Sequence, residues 1–322
     1  MDYLLLAIGF VLLVKGADWF VDGSASLARR LGVSSAIVGL TIVAMGTSAP
    51  EAAVSITAGV KETFFGVEGA SDMAVGNILG SNLFNLLFIL GLCMMIKPIP
   101  TATEFLKRDF PWALATTLLF IPMICDGKLA FYEGIILVVL FASYIGWMLY
   151  KSIKNREVAA DDIKTMSMGK SVGFLLLGLA MIITGGQLVV NASVNIANYF
   201  NMSETLVGLT ICAIGTSLPE LVTSFVASRK GESELAVGNV IGSNIFNLLF
   251  ILGTTITINN PMNVDANMMV DSIVLLGVTA MVFLFAFTKR RCGRIEGAIT
   301  FTSYLGYMTY IIIRDLDKIL AH

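Results

Sequence analysis

The hydrophobic and polar positions of the chain follow the pattern of a protein whose helices cross a membrane repeatedly. Mostly apolar stretches of about 17–25 residues, the length that a helix needs to cross a bilayer, recur ten times along the sequence. They lie at 3–27, 35–59, 73–96, 109–124, 131–150, 172–195, 204–228, 235–257, 268–288 and 295–313. Only one connection, at residues 151–170, is long and charged, which is typical of a solvated linker. The pattern predicts an all-α polytopic membrane protein with ten transmembrane helices.

Composition agrees with a membrane protein and disfavours several other classes. Hydrophobic residues make up 56% of the 322 residues and charged residues 14%, whereas soluble domains carry about 25% charged residues. The formal net charge is −2 and no basic run is present, so we do not expect nucleic-acid binding. The one histidine is His322, and the four cysteines have no paired spacing, which argues against a zinc site and a His-based catalytic triad. We therefore expect neither an enzyme nor a resident cofactor.

Lysines and arginines concentrate in alternate connections between the ten stretches. Sixteen occupy one set of connections: Arg29, Arg30, Lys97, Lys107, Arg108, Lys151, Lys154, Arg156, Lys164, Lys170, Arg229, Lys230, Lys289, Arg290, Arg291 and Arg294. Four occupy the other set: Lys61, Lys128, Arg314 and Lys318. Because cytoplasmic loops are enriched in Lys and Arg, we expect a multi-pass protein of the cytoplasmic membrane. Both termini should lie outside and the 151–170 linker in the cytoplasm.

The chain contains two copies of one pattern. Residues 38–51, VGLTIVAMGTSAPE, and 207–220, VGLTICAIGTSLPE, are identical at 11 of 14 positions. Residues 74–91, AVGNILGSNLFNLLFILG, and 236–253, AVGNVIGSNIFNLLFILG, are identical at 15 of 18. Each copy holds five predicted spans, and an odd number inverts the second copy relative to the first. This predicts an inverted five-helix repeat at 1–150, the linker at 151–170 and a second repeat at 171–322, an arrangement typical of secondary transporters. Duplication could also produce a scaffold that does not transport, but that alternative explains poorly why identity concentrates in polar segments.

A glutamate lies about halfway along the second and the seventh stretch, at Glu51 and Glu220. A carboxylate at that depth costs about 2.5–3.5 kcal/mol on insertion scales, so such a residue usually has a functional role. Pro50 and Pro219 precede the two glutamates and cannot donate a main-chain hydrogen bond. Each copy should therefore have a helix that is broken near the membrane centre, where irregular backbone is tolerated if it lines a cavity.

Hydroxyl and amide side chains accompany the two glutamates. Hydroxyls three and four residues before each glutamate share its helix face: Thr47, Ser48, Thr216 and Ser217. In the third and eighth stretches, Asn and Ser recur every four residues on one stripe: Asn77, Ser81, Asn85, Asn239, Ser243 and Asn247. Close helix packing is the alternative explanation for this stripe. Asn82 and Asn244 point about 100° away from it on a helical wheel and are weaker ligand candidates.

These groups are all hard oxygen ligands, which suit Ca²⁺, Na⁺ or Mg²⁺ rather than Zn²⁺ or copper. Two carboxylates neutralise either one Ca²⁺ or two Na⁺, so competition for the same charges could drive exchange. No Lys or Arg lies among these residues, which disfavours an anionic substrate. The sequence also shows no aromatic cage among them, which disfavours a large organic cation.

The duplicated motifs resemble the α-repeats of the Na⁺/Ca²⁺ exchangers, within the Ca²⁺/cation antiporter superfamily. The segments that carry the resemblance are GTSAPE at 46–51, GTSLPE at 215–220, GNILGSN at 76–82 and GNVIGSN at 238–244. The resemblance implies a prokaryotic-type membrane antiporter that exchanges Ca²⁺ for several Na⁺ across the bilayer, by alternating access and with net movement of charge. It also implies that the first and sixth spans slide against the other eight.

The resemblance further implies a ligand set. Glu51 and Glu220 would be the central ligands of Ca²⁺ and Na⁺. The remaining implied ligands are the hydroxyl or backbone oxygens of Thr47, Ser48, Thr216 and Ser217, the hydroxyls of Ser81 and Ser243, the carbonyls of Ala44 and Ala213, and the amides of Asn85 and Asn247. Some relatives, including K⁺-dependent ones, have Asp at the position of Asn247, so Asn in both copies disfavours K⁺ dependence.

Other functions remain open at this point. The same fold could couple Ca²⁺ to H⁺ or K⁺ in place of Na⁺, since two glutamates can titrate. A passive cation channel would need a continuous pore, which paired broken helices disfavour. An intramembrane enzyme using the two carboxylates is disfavoured by the repeat. Finally, Lys15 and Asp18 lie three residues apart in the first stretch and are expected to form a local pair or to leave Lys15 snorkelling.

Overall fold

Nearly all of the described chain is helical. The computed structural model describes residues 2–67, 69–100, 105–154, 166–199, 213–289 and 291–314. In the first half the α-helices are α1 Asp2–Leu31, α2 Ser35–Val38, α3 Ala44–Thr47, α4 Ala49–Phe65, α5 Ala70–Leu83, α6 Leu90–Ile96, α7 Phe110–Ile124 and α8 Phe131–Lys154. In the second half they are α9 Met168–Tyr199, α10 Ala213–Thr216, α11 Leu218–Lys230, α12 Ser233–Phe246, α13 Gly253–Ile258, α14 Asn267–Lys289 and α15 Arg294–Arg314.

Short π-helical segments join several of these helices. They are Gly39–Val43, Phe84–Ile89, Phe105–Asp109 and Asn247–Leu252. Because Phe84–Ile89 and Asn247–Leu252 continue the helices on either side, α5 with α6 and α12 with α13 form two uninterrupted rods, Ala70–Ile96 and Ser233–Ile258. Such wide turns inside helices are frequent at functional sites.

Six helices in the described residues are long and apolar enough to cross a membrane. They are Asp2–Leu31, Ala70–Ile96, Phe131–Ser152, Met168–Ala197, Ser233–Ile258 and Asn267–Thr288, and a seventh span results if Ser35–Thr47 and Ala49–Phe65 are joined across their 50° bend. The predicted spans at 109–124 and 295–313 coincide with α7, which is only 15 residues long, and α15, which is rich in Thr and Tyr. The predicted span at 204–228 lies partly outside the described residues, as does the linker at 151–170. Ten spans therefore remain a prediction.

Both predicted helix breaks are present. Ser48 lies between α3 and α4 with φ −81° and ψ 10°, and Ser217 lies between α10 and α11 with φ −91° and ψ 6°. The prolines that follow occupy the first turn of the new helix, a position that tolerates proline because its N–H would have no helical partner. Each carboxylate thus comes one turn after a break.

The two uninterrupted rods form the centre of the molecule, and the longest helices pack outside them. Within an apolar stretch of 18 residues in each helix, 94% of the residues are buried in Ser233–Ile258 and 78% in Ala70–Ile96, against 33% in Asp2–Leu31 and in Met168–Ala197. Helices α1 and α9 pack on each other through glycines: a Cβ added at Gly16 would lie 2.9 Å from the carbonyl oxygen of Gly178. Small residues let helix backbones approach this closely, and packing of that kind replaces the hydrophobic effect inside lipid.

Two short antiparallel ladders connect the halves of the chain. Strand β1, Ile99–Pro100, pairs with β4, Arg291–Cys292, and strand β2, Lys128–Leu129, pairs with β3, Met262–Asn263. Each ladder joins a connection of the first half to one of the second.

A candidate cation site between two broken helices

The two glutamates lie in the first turns of α4 and α11 and are completely buried. Each is held by the break of the opposite half. The Ser217 hydroxyl donates to Glu51 Oε1 at 2.9 Å, and the Ser48 hydroxyl donates to Glu220 Oε1 at 2.7 Å. The Ser81 hydroxyl of α5 also donates to Glu51 Oε1, at 3.3 Å. The broken helices therefore meet end to end, and the carboxyl groups repel each other when both are charged.

The threonines beside the breaks bind asparagines of the central rods. The Thr47 hydroxyl donates to Asn239 Oδ1 at 3.1 Å and lies 3.4 Å from the carbonyl oxygen of Ala44. The Thr216 hydroxyl donates to Asn77 Oδ1 at 3.4 Å. Sequence reasoning placed both asparagines on the polar stripe without making them ligands. Here their oxygens anchor the threonines of the opposite half.

Five buried oxygens of this region have no hydrogen-bond partner among the described residues. They are Glu51 Oε2, Glu220 Oε2, Asn85 Oδ1, Asn247 Oδ1 and Ser243 Oγ. Leaving a buried acceptor unpaired costs about 1–3 kcal/mol, and more if it is charged. The carboxylate and amide oxygens can only accept, so a cation satisfies these four and an anion does not, whereas the Ser243 hydroxyl can also donate. The donor set fits a hard cation such as Na⁺ or Ca²⁺.

This donor set differs from a site built of acidic clusters. Among the described residues, no group of three or more His, Cys, Asp or Glu could hold a metal ion. Only the two glutamates supply charge, and neutral hydroxyl and amide oxygens supply the remaining ligands. A site of this kind binds a cation without surrounding it with excess negative charge.

The structure brings most of the predicted ligand residues together. Hydrogen bonds join Ser48 to Glu220, and join Ser217, Ser81 and Glu51 to one another. The two threonines lie beside these groups and bind Asn239 and Asn77. Asn85, Asn247 and Ser243 contribute buried, unpartnered oxygens. Ala44 contributes its carbonyl as an acceptor for Thr47. Ala213 begins α10, and its side chain lies outside the described set. The role of these residues as ligands stays a prediction.

Asn82 and Asn244, the weaker ligand candidates, have contacts that the sequence did not predict. Each side-chain amide donates to the main-chain carbonyl of the other, at 3.2 and 3.1 Å, where α5 and α12 meet. Each side-chain oxygen also accepts a hydrogen bond from a predicted ligand amide. Their presence at equivalent positions of both copies was the available signal.

Of the two alternatives expected in α1, Asp18 does not follow the local pair, and Lys15 is exposed, as the snorkelling alternative predicts. The Asp18 carboxylate lies 3.4 Å from Lys230 Nζ of α11, which also contacts Asp22 at 2.8 Å. Asp18 and Lys15 are neighbours in sequence, whereas Lys230 is brought to α1 by the packing of α11 against it.

Comparison with known proteins agrees with this architecture. The family model described as sodium/calcium exchanger protein matches residues 1–150 and 170–313. The chain is 41% identical over 311 residues to the protein named "Putative antiporter CaxA" of Alkalimonas amylolytica, which covers 93% of this chain and 95% of that protein. It is 30% identical over 353 residues to the sodium/calcium exchanger MaX1 of Methanosarcina acetivorans, covering 97% and 98%.

Solved structures of the sodium-calcium exchanger NCX_Mj have the same fold. A structure of that protein soaked with Na⁺ and Ca²⁺ superposes with a TM-score of 0.82 and 29% identity, covering 98% of each chain. A structure soaked with Na⁺ and no Ca²⁺ superposes with a TM-score of 0.83. The family model, the sequence relatives and the fold agree: the chain is a membrane-spanning member of the sodium/calcium exchanger protein family.

Proposed function

We propose that this protein is a secondary active antiporter that exchanges Na⁺ for Ca²⁺ across the cytoplasmic membrane by alternating access. The observation that carries the proposal is the pair of buried carboxylates with unpartnered oxygens at Glu51 and Glu220. Two negative charges are neutralised equally by one Ca²⁺ or by two Na⁺. If a third Na⁺ binds the neutral oxygens, each cycle moves net charge, and transport is electrogenic.

The need to neutralise both carboxylates raises the energy barrier for movement of the empty site. Two carboxylates without a cation repel each other and lack partners for their second oxygens, so passing them through an apolar barrier is costly. Either ion load removes that cost. Exchange follows because the loaded forms cross and the empty form does not, which suppresses leak.

The proposed topology is ten spans in two inverted repeats, 1–150 and 171–322, with both termini outside. The cross-half contacts support it. Ladder β1–β4 joins two connections that the Lys and Arg distribution assigns to the cytoplasm, and ladder β2–β3 joins two that it assigns to the outside. Hydrogen-bonded segments must lie on the same side of the membrane, so the pairings agree with the proposed alternation.

The α1–α9 pair is the proposed moving element. The two helices pack on each other through glycines, and only a third of an 18-residue apolar stretch in each is buried, whereas the central rods are almost enclosed. The NCX_Mj structures concern extracellular ion exchange and binding-site occlusion. We propose that this chain likewise closes its site by moving α1 and α9 over the broken helices.

Radioactive Ca²⁺ uptake into proteoliposomes tests the function. Vesicles containing purified protein and loaded with Na⁺ are diluted into Na⁺-free or Na⁺-matched buffer at constant pH. We expect uptake only with the outward Na⁺ gradient, and faster uptake when a K⁺ gradient with valinomycin compensates the moved charge. Uptake that ignores the Na⁺ gradient would overturn Na⁺ coupling, and a proton gradient would then be the next driving force to apply.

A further inference from the structure

Asn82 and Asn244 form a crossed pair behind the candidate cation site. Both are buried, with exposed fractions of 0% and 5%. Asn82 Nδ2 donates to the Asn244 carbonyl at 3.2 Å, and Asn244 Nδ2 donates to the Asn82 carbonyl at 3.1 Å. These contacts join α5 of the first half to α12 of the second.

The oxygens of this pair bind the amides of the next polar turn. Asn247 Nδ2 donates to Asn82 Oδ1 at 3.0 Å, and Asn85 Nδ2 donates to Asn244 Oδ1 at 3.0 Å. Asn247 Nδ2 also makes a longer contact with Ser81 Oγ, at 3.4 Å. With their NH₂ groups engaged in this way, Asn247 Oδ1 and Asn85 Oδ1 are left buried and unpartnered. The crossed pair therefore decides which end of each ligand amide remains for the cation.

The direction of this network is set by the main chain. An asparagine side chain carries an acceptor oxygen on one side and a donor NH₂ on the other, and a cation accepts only the oxygen. A main-chain carbonyl can only accept. The carbonyl of Asn244 thus requires the NH₂ of Asn82, which turns the oxygen of Asn82 toward the NH₂ of Asn247. In the same way, the carbonyl of Asn82 binds the NH₂ of Asn244, whose oxygen then accepts from the NH₂ of Asn85.

We propose that Asn82 and Asn244 are positioning residues that fix the cation-facing oxygens of Asn247 and Asn85, each acting on the opposite half of the chain. This proposal rests on the proposed function and deepens it. Without the crossed pair, Asn85 Nδ2 loses its bond to Asn244 and Asn247 Nδ2 keeps only the longer contact with Ser81 Oγ, so either ligand amide can rotate its NH₂ toward the site. A donor in that position opposes cation binding and leaves one ligand fewer.

Changing Asn247 or Asn85 to Asp provides a way to isolate this role. A carboxylate presents an oxygen in both orientations and needs no partner to orient it. Asn82→Ala should therefore weaken Ca²⁺ binding when residue 247 is Asn, and should change it little when residue 247 is Asp. An Asp at position 85 adds the same charge to the site but leaves Asn247 dependent on Asn82, which makes it the matched control.

The experiment measures equilibrium Ca²⁺ binding and Na⁺-driven Ca²⁺ uptake by purified protein. Asn82→Ala and Asn244→Ala are each measured alone, in the Asn247→Asp background and in the Asn85→Asp background. We expect Asn82→Ala to raise the half-saturating Ca²⁺ concentration about tenfold, which is the change expected when one well-formed ligand contact is lost. The effect should fall to about twofold or less in the Asn247→Asp background and stay near tenfold in the Asn85→Asp background. Asn244→Ala should show the reverse dependence.

The outcomes separate this proposal from the proposed function. Equal effects of Asn82→Ala in both Asp backgrounds would make the pair a packing element and overturn the proposal. If the alanine variants do not fold, judged by size-exclusion elution and melting temperature, the same crossed comparison is made with Asn82→Ser and Asn244→Ser. Wild-type protein that neither binds nor transports Ca²⁺ would instead overturn the proposed function itself.

Discussion

The two halves of the chain make equivalent contacts at the central site but different contacts around the α1–α9 pair. At the centre, the contacts between the two breaks and the two glutamates match: Ser48 binds Glu220 and Ser217 binds Glu51, at 2.7 and 2.9 Å. Only the additional bond from Ser81 to Glu51 has no counterpart at Ser243 in the described part of the chain. Around α1 and α9 the halves differ. Lys230 of α11 holds Asp18 and Asp22 of α1, whereas Gln187 and Asn191, at the equivalent positions of α9, carry no charge and bind each other at 2.8 Å.

This difference suits the proposed exchange, in which the site binds the same ions from either side of the membrane. Matching contacts at the centre keep the ligand geometry alike for both faces of the membrane. None of the predicted ligand residues lies on α1 or α9, so the contacts of these helices are free to differ and to hold one end more firmly than the other. Symmetry should therefore be essential at the centre and dispensable at the periphery.

The largest effect should come from removing one central charge. Glu51→Gln or Glu220→Gln leaves a single carboxylate. One Na⁺ neutralises that charge, but the carboxylate balances only one of the two positive charges of Ca²⁺. Na⁺-dependent Ca²⁺ uptake should fall at least about 100-fold in either variant, equivalent to about 2.7 kcal/mol or more. Glu62→Gln at the end of α4 is a control within the same helix. Full uptake by either site variant would contradict the site.

The glycine contact of α1 with α9 should be the next most sensitive feature. A Cβ added at Gly178 would lie 2.5 Å from the main-chain nitrogen of Phe20 and 2.7 Å from the carbonyl oxygen of Gly16. Gly178→Ala must separate the helices, and overpacking of this kind costs about 1–3 kcal/mol. The melting temperature of the detergent-solubilised protein should fall accordingly.

Gly173→Ala provides the control for that prediction on the same helix. Nothing lies within 4 Å of a Cβ at Gly173. Alanine there should be neutral or stabilising by up to about 1 kcal/mol, because alanine favours the helix more than glycine does. Equal melting temperatures for the two variants would show that α1 and α9 do not pack as described.

Serine hydroxyls should contribute equally to both halves of the site. Ser48→Ala and Ser217→Ala each remove one hydrogen bond to a buried carboxylate, an interaction of about 1.5–3 kcal/mol. Part of this is regained when a cation binds the freed oxygen, so we expect about a tenfold loss of Ca²⁺ affinity in each variant. Ser143→Ala, at an exposed helix position, is the control. A large effect in one variant alone would break the symmetry argument.

Much of the site could be predicted because its determinants are local. Pro50 and Pro219 break a helix wherever that helix packs, and a buried carboxylate near a membrane centre needs oxygen-rich surroundings whatever the fold. The duplication of these motifs showed that they belong together. The hydrogen bonds across the halves, such as Thr47 to Asn239, required knowledge of how the helices meet.

The contacts of Asn82 and Asn244 could not be predicted from the sequence for a definite reason. A helical wheel assumes 100° per residue and considers a single helix, yet π-helical segments begin at Phe84 and Asn247, and wider turns change the relation between neighbouring polar positions. More important, their partners lie about 160 residues away along the chain. Likewise, no local pattern connects Asp18 with Lys230.

The smallest effect should come from the charged contacts of α1, and it should be one-sided. Lys230→Gln removes the link to Asp18 and Asp22, whose side chains are 36% and 48% exposed, so the ion pairs contribute only about 0–1 kcal/mol. The melting temperature of Lys230→Gln should lie slightly below wild type at low salt and converge with it at about 1 M salt, where screening acts over about 3 Å. Lys61→Gln, the equivalent change in the first half, should leave the melting temperature unchanged at both salt concentrations, because Gln187 and Asn191 offer no opposite charge. If both lysine variants responded to salt equally, the outer helices would be as symmetric as the centre, and the contrast between the two regions would not hold.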